Sequence, residues 1–331
     1  YIMEKSIILK NLKGGSFSST NVVKLSDGDI RVRKYISRTY EREYGLVRWQ
    51  SQIRRMQHLH LVLPVNSPQI QNMGVNNDYF YYDIPYYKDA LNLFDYLSTT
   101  SPKNASILFE QVNKLIQSYS SISYGSVKGS FSIFLSEEVN QRLFNAKKTI
   151  LDAHKLSTIT KSETEHTLHK IDLIERKLCN FINTAKNINI SESLTHGNLT
   201  LENMLYIESE KRVIIIDPYG ETYCDSVLGD YSQLMQSSLS LYELIVSKGE
   251  SNIESLITTN TFNSNIGLKH FGNALVQELS KLDEEKQIIL NLFHAAQFIR
   301  MFPFKITKTP RLAIYFMLHG IELIQETLIN A

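Results

Sequence analysis

The stretch Thr195-His196-Gly197-Asn198-Leu199-Thr200-Leu201-Glu202-Asn203, followed downstream by Asp217-Pro218-Tyr219-Gly220, carries most of the information in this chain. Between the two segments, Met204–Ile207 and Val213–Ile216 are short apolar runs joined by the polar turn Glu208-Ser209-Glu210-Lys211-Arg212, the pattern of a β-hairpin. Asn203 stands immediately before the first run and Asp217 immediately after the second. The open ends of an antiparallel hairpin are neighbours, with paired Cα atoms ~5 Å apart. The hairpin therefore delivers an amide oxygen and a carboxylate to one point. Both are hard oxygen donors suited to Mg²⁺, which takes one or two protein groups together with phosphate oxygens and water. His196 and Asn198 lie on the loop entering that point, so a metal–phosphate site is expected there.

Upstream, the first ~87 residues read mostly as strands around one helix. Ile7–Leu9, Val22–Leu25 and Ile30–Ile36 are apolar runs, the last two joined by the turn signal Asp27-Gly28. A helical pattern covers about Thr39 to Leu59, with Leu46, Val47, Ile53 and Met56 assigned to one face and Arg48, Arg54 and Arg55 to solvent. Asp78–Tyr87 holds the aromatic run Tyr79-Phe80-Tyr81-Tyr82 and Pro85. Beyond it helices dominate: Leu91–Leu97, Ala105–Ile122, Ser136–Ala153, Glu163–Lys186, Asp225–Ser247, Ile266–Leu282, Glu284–Met301 and Pro310–Ile329. The expected architecture is α+β and bilobal: a β-rich lobe over residues 1–87, a connector at about 82–90, and a helical lobe over 88–331 that carries the hairpin.

Composition narrows the function classes. The 35 basic and 34 acidic side chains leave a net charge of +1, so nucleic acid and anionic membrane are not expected partners. Cys179 and Cys224 are too few for a disulfide framework and read as buried thiols. No stretch reads as a ~20-residue membrane span, and the chain is expected to be cytoplasmic.

His-Gly-Asn-Leu-Thr-Leu-Glu-Asn resembles the His-x-Asp-x-x-x-x-Asn loop of aminoglycoside phosphotransferases and choline kinases. Ile216-Asp217-Pro218 resembles their metal motif, the counterpart of the protein-kinase Asp-Phe-Gly, and Asp225-Ser226-Val227-Leu228-Gly229-Asp230-Tyr231 resembles the segment that follows it. The likeness is strongest over residues 195–236. It implies a protein-kinase-like fold, ATP and Mg²⁺ as cofactors, Asn203 and Asp217 as metal ligands, and His196 and position 198 as catalytic residues. Position 198 should be the aspartate that receives or orients the acceptor proton. Asn198 departs from that pattern: a carboxamide cannot take up a proton at neutral pH, and its NH₂ donates where an acceptor is needed. The chain reads as an inactivated form of a phosphotransferase. The alternative is a natural pseudokinase that senses a nucleotide or metabolite.

The same resemblance assigns the nucleotide lobe. Ser16, Phe17 and Ser18, within Gly14-Gly15-Ser16-Phe17-Ser18-Ser19-Thr20, would cover the phosphates with free backbone N–H groups. Lys34 is the candidate phosphate lysine, Arg33 pointing to the other face of its strand. Glu43 is the expected carboxylate partner of Lys34, because it shares a helical face with Leu46, Val47 and Ile53. Asp83 and Ile84 would offer main-chain groups to adenine. On the acceptor side, His294 and Arg300 of Phe293–Pro303, together with Asp230, are the candidate substrate residues, with Lys305 and Arg311 adding positive charge. Few carboxylates occur between residues 286 and 321, which disfavours a cationic drug. The implied acceptor is a small hydroxylated metabolite, a sugar of bacterial surface-polysaccharide metabolism, taken by a monomer or homodimer.

Overall fold

The computed structural model describes residues 6–12, 18–38, 42–250 and 265–329, with the side chains of 42–44 left aside. Strands β1 (Ser6–Leu12), β2 (Ser18–Leu25), β3 (Ile30–Ser37), β4 (Asn72–Val75) and β5 (Tyr79–Pro85) form an antiparallel sheet in the order β1-β2-β3-β5-β4. Helix α1 (Arg42–Val62) crosses one face, where Ile53 and Met56 pack on Tyr82 and Ile84. Leu46 and Val47 are exposed, contrary to the face expected from sequence, and Arg55 is buried. The inward stripe of α1 runs instead through Gln52, Met56 and Leu59, at offsets of three to four residues, and the buried Leu63 continues it just past the helix end.

The rest is helical. A two-residue strand β6 (Leu91–Asn92) leads into α2 (Leu93–Thr99), where Asn92 caps the helix by accepting from Phe94 N–H. Next come α3 (Pro102–Ser120), β7 (Ser123–Lys128), α4 (Ser130–Phe134) and, after a π-helical turn, α5 (Gln141–Lys155). Helix α6 (Lys161–Ala185) opens with a capping box made by Thr160 and Glu163. Strand β8 (Asn189–Ser193) pairs with β7; neither is foreshadowed by the sequence pattern, because all six residues of β7 are exposed. The hairpin is β9 (Met204–Ile207) with β10 (Arg212–Ile215), and β6 adds a third strand to it.

The single helix expected over 225–247 is two, α7 (Val227–Ser238) and α8 (Tyr242–Lys248), separated at Leu241, whose φ is 50°. Helices α9 (Ile266–Leu279), α10 (Glu284–Lys305) and α11 (Pro310–Ile329) complete the fold. Phe131, Phe134 and Phe293 pack together at the centre of the helical core, with Phe298 and Phe316 forming an adjoining cluster. Against the sequence reading, α11 is by length and composition apolar enough to cross a membrane; half of that window is buried inside the fold, where α11 packs on α10. Cys224 is buried as expected, whereas Cys179 is exposed.

Candidate active site

Met204 pairs with Ile215, and beyond that pair Ile216 N–H donates to Asn203 C=O at 2.9 Å. The hairpin thus sets Asn203 beside the residue preceding Asp217. Asp217 has φ 57°, a left-handed conformation unusual for a residue with a Cβ and one that clusters at functional sites. Gly197 is obligatory at its position: φ is 75°, and a Cβ there would lie 2.1 Å from Tyr219 C=O. The two loops interlock there, and Tyr219 N–H donates to His196 C=O at 2.9 Å.

Within this frame Asn198 Nδ2 donates to Asp217 C=O at 3.2 Å, and Asn203 Nδ2 donates to Asn198 C=O at 2.9 Å. With their NH₂ groups so directed, the Asn203 amide oxygen and the Asp217 carboxylate remain as hard donors. Their chemistry fits one Mg²⁺. Such an ion would neutralise phosphate charge, and Asn203 and Asp217 are the side chains that would hold it. Among the described residues no three His, Cys, Asp or Glu side chains gather into a metal-binding group, so the donor set is lean.

Lys34 reaches the same point from β3, its Nζ donating to Asp217 Oδ1. Burial pushes the Asp217 carboxyl up, but Lys34, Arg48 and the Gln52 amide outweigh burial and hold it below the usual carboxylate range. The side chain of Glu43, expected beside Lys34, lies outside the described residues, as do Ser16 and Phe17; Ser18 opens β2 opposite Ile36. What α1 sends into the cleft is Gln52. Its Nε2 donates to Asp217 Oδ1 and to Pro218 C=O, while its buried Oε1 has no hydrogen-bond partner. Gln52 lies on the same stripe as Met56, Leu59 and Leu63, and a polar side chain on an apolar stripe is the signal that would have found it.

Arg55 was assigned to solvent and is instead a cross-brace. Its guanidinium contacts Thr195 C=O and Oγ1, Gly220 C=O and both carboxylate oxygens of Asp225. Asp230, expected to meet substrate, lies at the wall of the cleft beyond Asn198 and is bonded to the 195–203 loop. It is fully buried and accepts from His196 N–H, Gly197 N–H and Tyr119 Oη. Burial pushes its carboxyl up to about 6 despite those donors.

His196 is also fully buried and cannot touch an acceptor. Its Nδ1 accepts weakly from Asn198 N–H at 3.3 Å, and its Nε2 lacks a partner of good geometry, although the Ile216 main chain is close enough to favour the charged ring. Burial dominates and lowers its pKa to about 4, leaving a neutral ring that props the loop. Asp83 is likewise not open to adenine through its side chain, which is locked to Arg33; its C=O accepts from Gln71 N–H. Ile84, next along β5, packs against α1.

Beyond Asn198 a cleft is lined by Gly197, Tyr219, Gln233, Gln297, Arg300 and the aromatic pair Phe134 and Phe293. Arg300 pairs with Glu138 at 2.9 Å and lies over the Tyr219 ring. Lys305 and Arg311 do not join it, since Lys305 lies over Tyr242 and Arg311 faces Glu163. His294 is buried against Ser240 Oγ and is not among the residues lining this cleft.

The sequence matches no protein-family model and no curated protein. Solved structures do match. A protein provisionally described as a fructosamine-3-kinase from Thermobifida fusca superposes over 99% of this chain and 95% of its own, with TM-score 0.54 and 12% identity. A second, similarly described, from Haemophilus somnus covers 98% and 92% at TM-score 0.50 and 14% identity. The gentamicin complex of APH(2'')-IIa covers 96% and 92% at TM-score 0.51 and 16% identity. The chain has the bilobal kinase-like fold. Identities this low establish architecture, and the chemistry has to be argued from the site.

Proposed function

We propose that this chain binds ATP between its lobes and serves as a phosphotransferase site for a hydroxyl of a small, sugar-like acceptor. The observation that carries the reading is the convergence of Lys34, Asp217, Asn203 and Asn198, drawn from β3, the hairpin ends and the catalytic loop, beside a polar cleft. Asn203 and Asp217 would hold a Mg²⁺ ion that offsets phosphate charge, and Lys34 would hold the phosphates in register. Gln233 is held by Leu199 N–H and Gly197 C=O and Gln297 by Ser232 and Arg300, so Tyr219 and Arg300 are the polar side chains at the cleft's edge. Nothing in this arrangement supplies a base at position 198, so catalysis rests on positioning and electrostatics.

One observation favours the second reading, a nucleotide or metabolite sensor without turnover: α1 brings a neutral amide, Gln52, to Asp217 and Pro218. The test compares the natural chain with Asn198→Asp and with Asn198→Asp/Gln52→Glu. ADP release from Mg·ATP is followed over a panel of sugars, choline and amino acids. The phosphotransferase reading expects ~10²–10⁴-fold faster turnover with at least one acceptor. Retained ATP binding without a gain in either variant replaces it with the sensor.

A further inference from the structure

The wall of the cleft beyond Asn198 is selective in the charge it leaves open to a guest. Among the described residues of that wall, Asp230 and Arg300 are the two that carry a formal charge. Asp230 has little to offer. One of its oxygens accepts from Gly197 N–H, and the other accepts from His196 N–H and Tyr119 Oη. An ammonium group on a guest would therefore meet no open carboxylate in the described wall.

Arg300 is placed differently. Its Nε donates to Glu138 Oε2 at 2.9 Å, and the same oxygen takes Arg142 Nε at 3.0 Å and Arg142 Nη2 at 2.9 Å. Arg142 follows Glu138 by four residues, so that pair is made locally, and Arg300 reaches it from α10. Two guanidinium groups share one carboxylate oxygen, and the trio keeps one positive charge in excess. Arg300 retains its terminal nitrogens. Nη1 makes a long 3.3 Å contact with Gln297 Oε1, and Nη2 has no hydrogen-bond partner among the described residues. The side chain is 23% exposed, so that end is open to a guest. It is the edge that matches two oxygens of a carboxylate or phosphoryl group. The Tyr219 ring lies under the same guanidinium, 6.0 Å away, and lines the cleft beside it, offering an aromatic face to the apolar side of a sugar ring. Resting on the reading of this cleft as the acceptor site, we infer that the acceptor is a hydroxylated compound bearing an anionic group, carboxylate or phosphoryl, that Arg300 binds.

The test titrates the full chain, saturated with Mg·ADP, with glucuronate, glucose 6-phosphate, glucose and glucosamine. Calorimetry gives each dissociation constant, and the Mg·ADP titration that precedes them reads the nucleotide site separately. At least one anionic probe is expected to bind about tenfold or more tighter than glucose and glucosamine. The tighter of the two anionic probes tells whether the group is a carboxylate or a phosphoryl. Arg300→Met is expected to bring all four probes within about threefold of one another, and Arg300→Lys, which keeps the charge without the planar fork, to fall between. Circular dichroism establishes that each variant is folded. Three results overturn the inference and leave the nucleotide reading standing if Mg·ADP binds: glucose or glucosamine matching the anionic probes, no probe binding, or a preference that survives Arg300→Met. Failure to bind Mg·ADP overturns the nucleotide reading, and the acceptor role of the cleft with it. The comparison of probes on the natural chain requires no variant to fold.

Discussion

Arg33 and Lys34 are consecutive residues on β3, and each pairs with an aspartate, yet the two pairs are built differently. Arg33 and Asp83 are opposite one another in the β3–β5 register, and both side chains are fully buried. The guanidinium contacts are bidentate, at 2.6 and 2.8 Å. Lys34 points to the other face and meets an aspartate 183 residues away, across the cleft, through a single oxygen. That aspartate keeps 27% of its side chain exposed. A bidentate pair fixed by strand register has one geometry and nowhere else to go. A single contact across a cleft, with solvent on one side, can be exchanged for a phosphate. Strand alternation puts a locked, buried cation and a cleft-facing cation on neighbouring residues.

Breaking the buried pair is expected to give the largest effect. Asp83→Ala strands a buried guanidinium without its carboxylate and should cost ~3–5 kcal/mol of stability, read from the urea midpoint. A loss below about 1 kcal/mol would show that the two pairs do not differ as described. Acid probes the groups beneath the cleft. His196 and His294 are held neutral by burial, at about 4 and about 3, so their contribution is present above the ordinary histidine value and is lost as pH falls. Each loses on the order of 2 kcal/mol between pH 7 and 5. Burial raises Glu243 to about 7 and Asp230 to about 6, so both work in the opposite sense, restoring about 2 and about 1 kcal/mol. The two carboxyls therefore offset much of what these two histidines lose over that range. Glu243→Gln should expose a fall of about 2 kcal/mol, seen by comparing denaturant midpoints at pH 7 and 5. The smallest effect belongs to the cleft pair: Lys34→Met should change stability by about 1 kcal/mol or less, since Asp217 retains Gln52 and solvent. A large loss there would make Lys34 a structural cation like its neighbour.

What the sequence discloses follows how local each feature is. The hairpin, with Asn203 and Asp217 at its ends, is readable because turn chemistry and two apolar runs determine it over a few residues. Lys34 follows from strand alternation once its neighbour is placed. The inward face of α1 does not, because the helix exposes Leu46 and Val47 while burying Gln52 and Arg55, and only the surfaces it packs between fix its rotation. His196 and His294 carry the right chemistry for a cleft, but tertiary packing withdraws them from it, and Asp230 reaches its wall only with its oxygens already bonded to the loop. Strands β7 and β8 pair with each other across a long sequence gap, and their largely polar residues give periodicity nothing to detect.

Arg55 has a mechanical meaning apart from its charge. One side chain from the helix of the β-rich lobe grips the catalytic loop at Thr195, the following loop at Gly220 and the start of the next segment at Asp225. Helix α1 is thereby riveted to the helical lobe. Any shift of α1 against the helical lobe would have to break or carry along these contacts, so Arg55 ties the two loops and the helix into one unit.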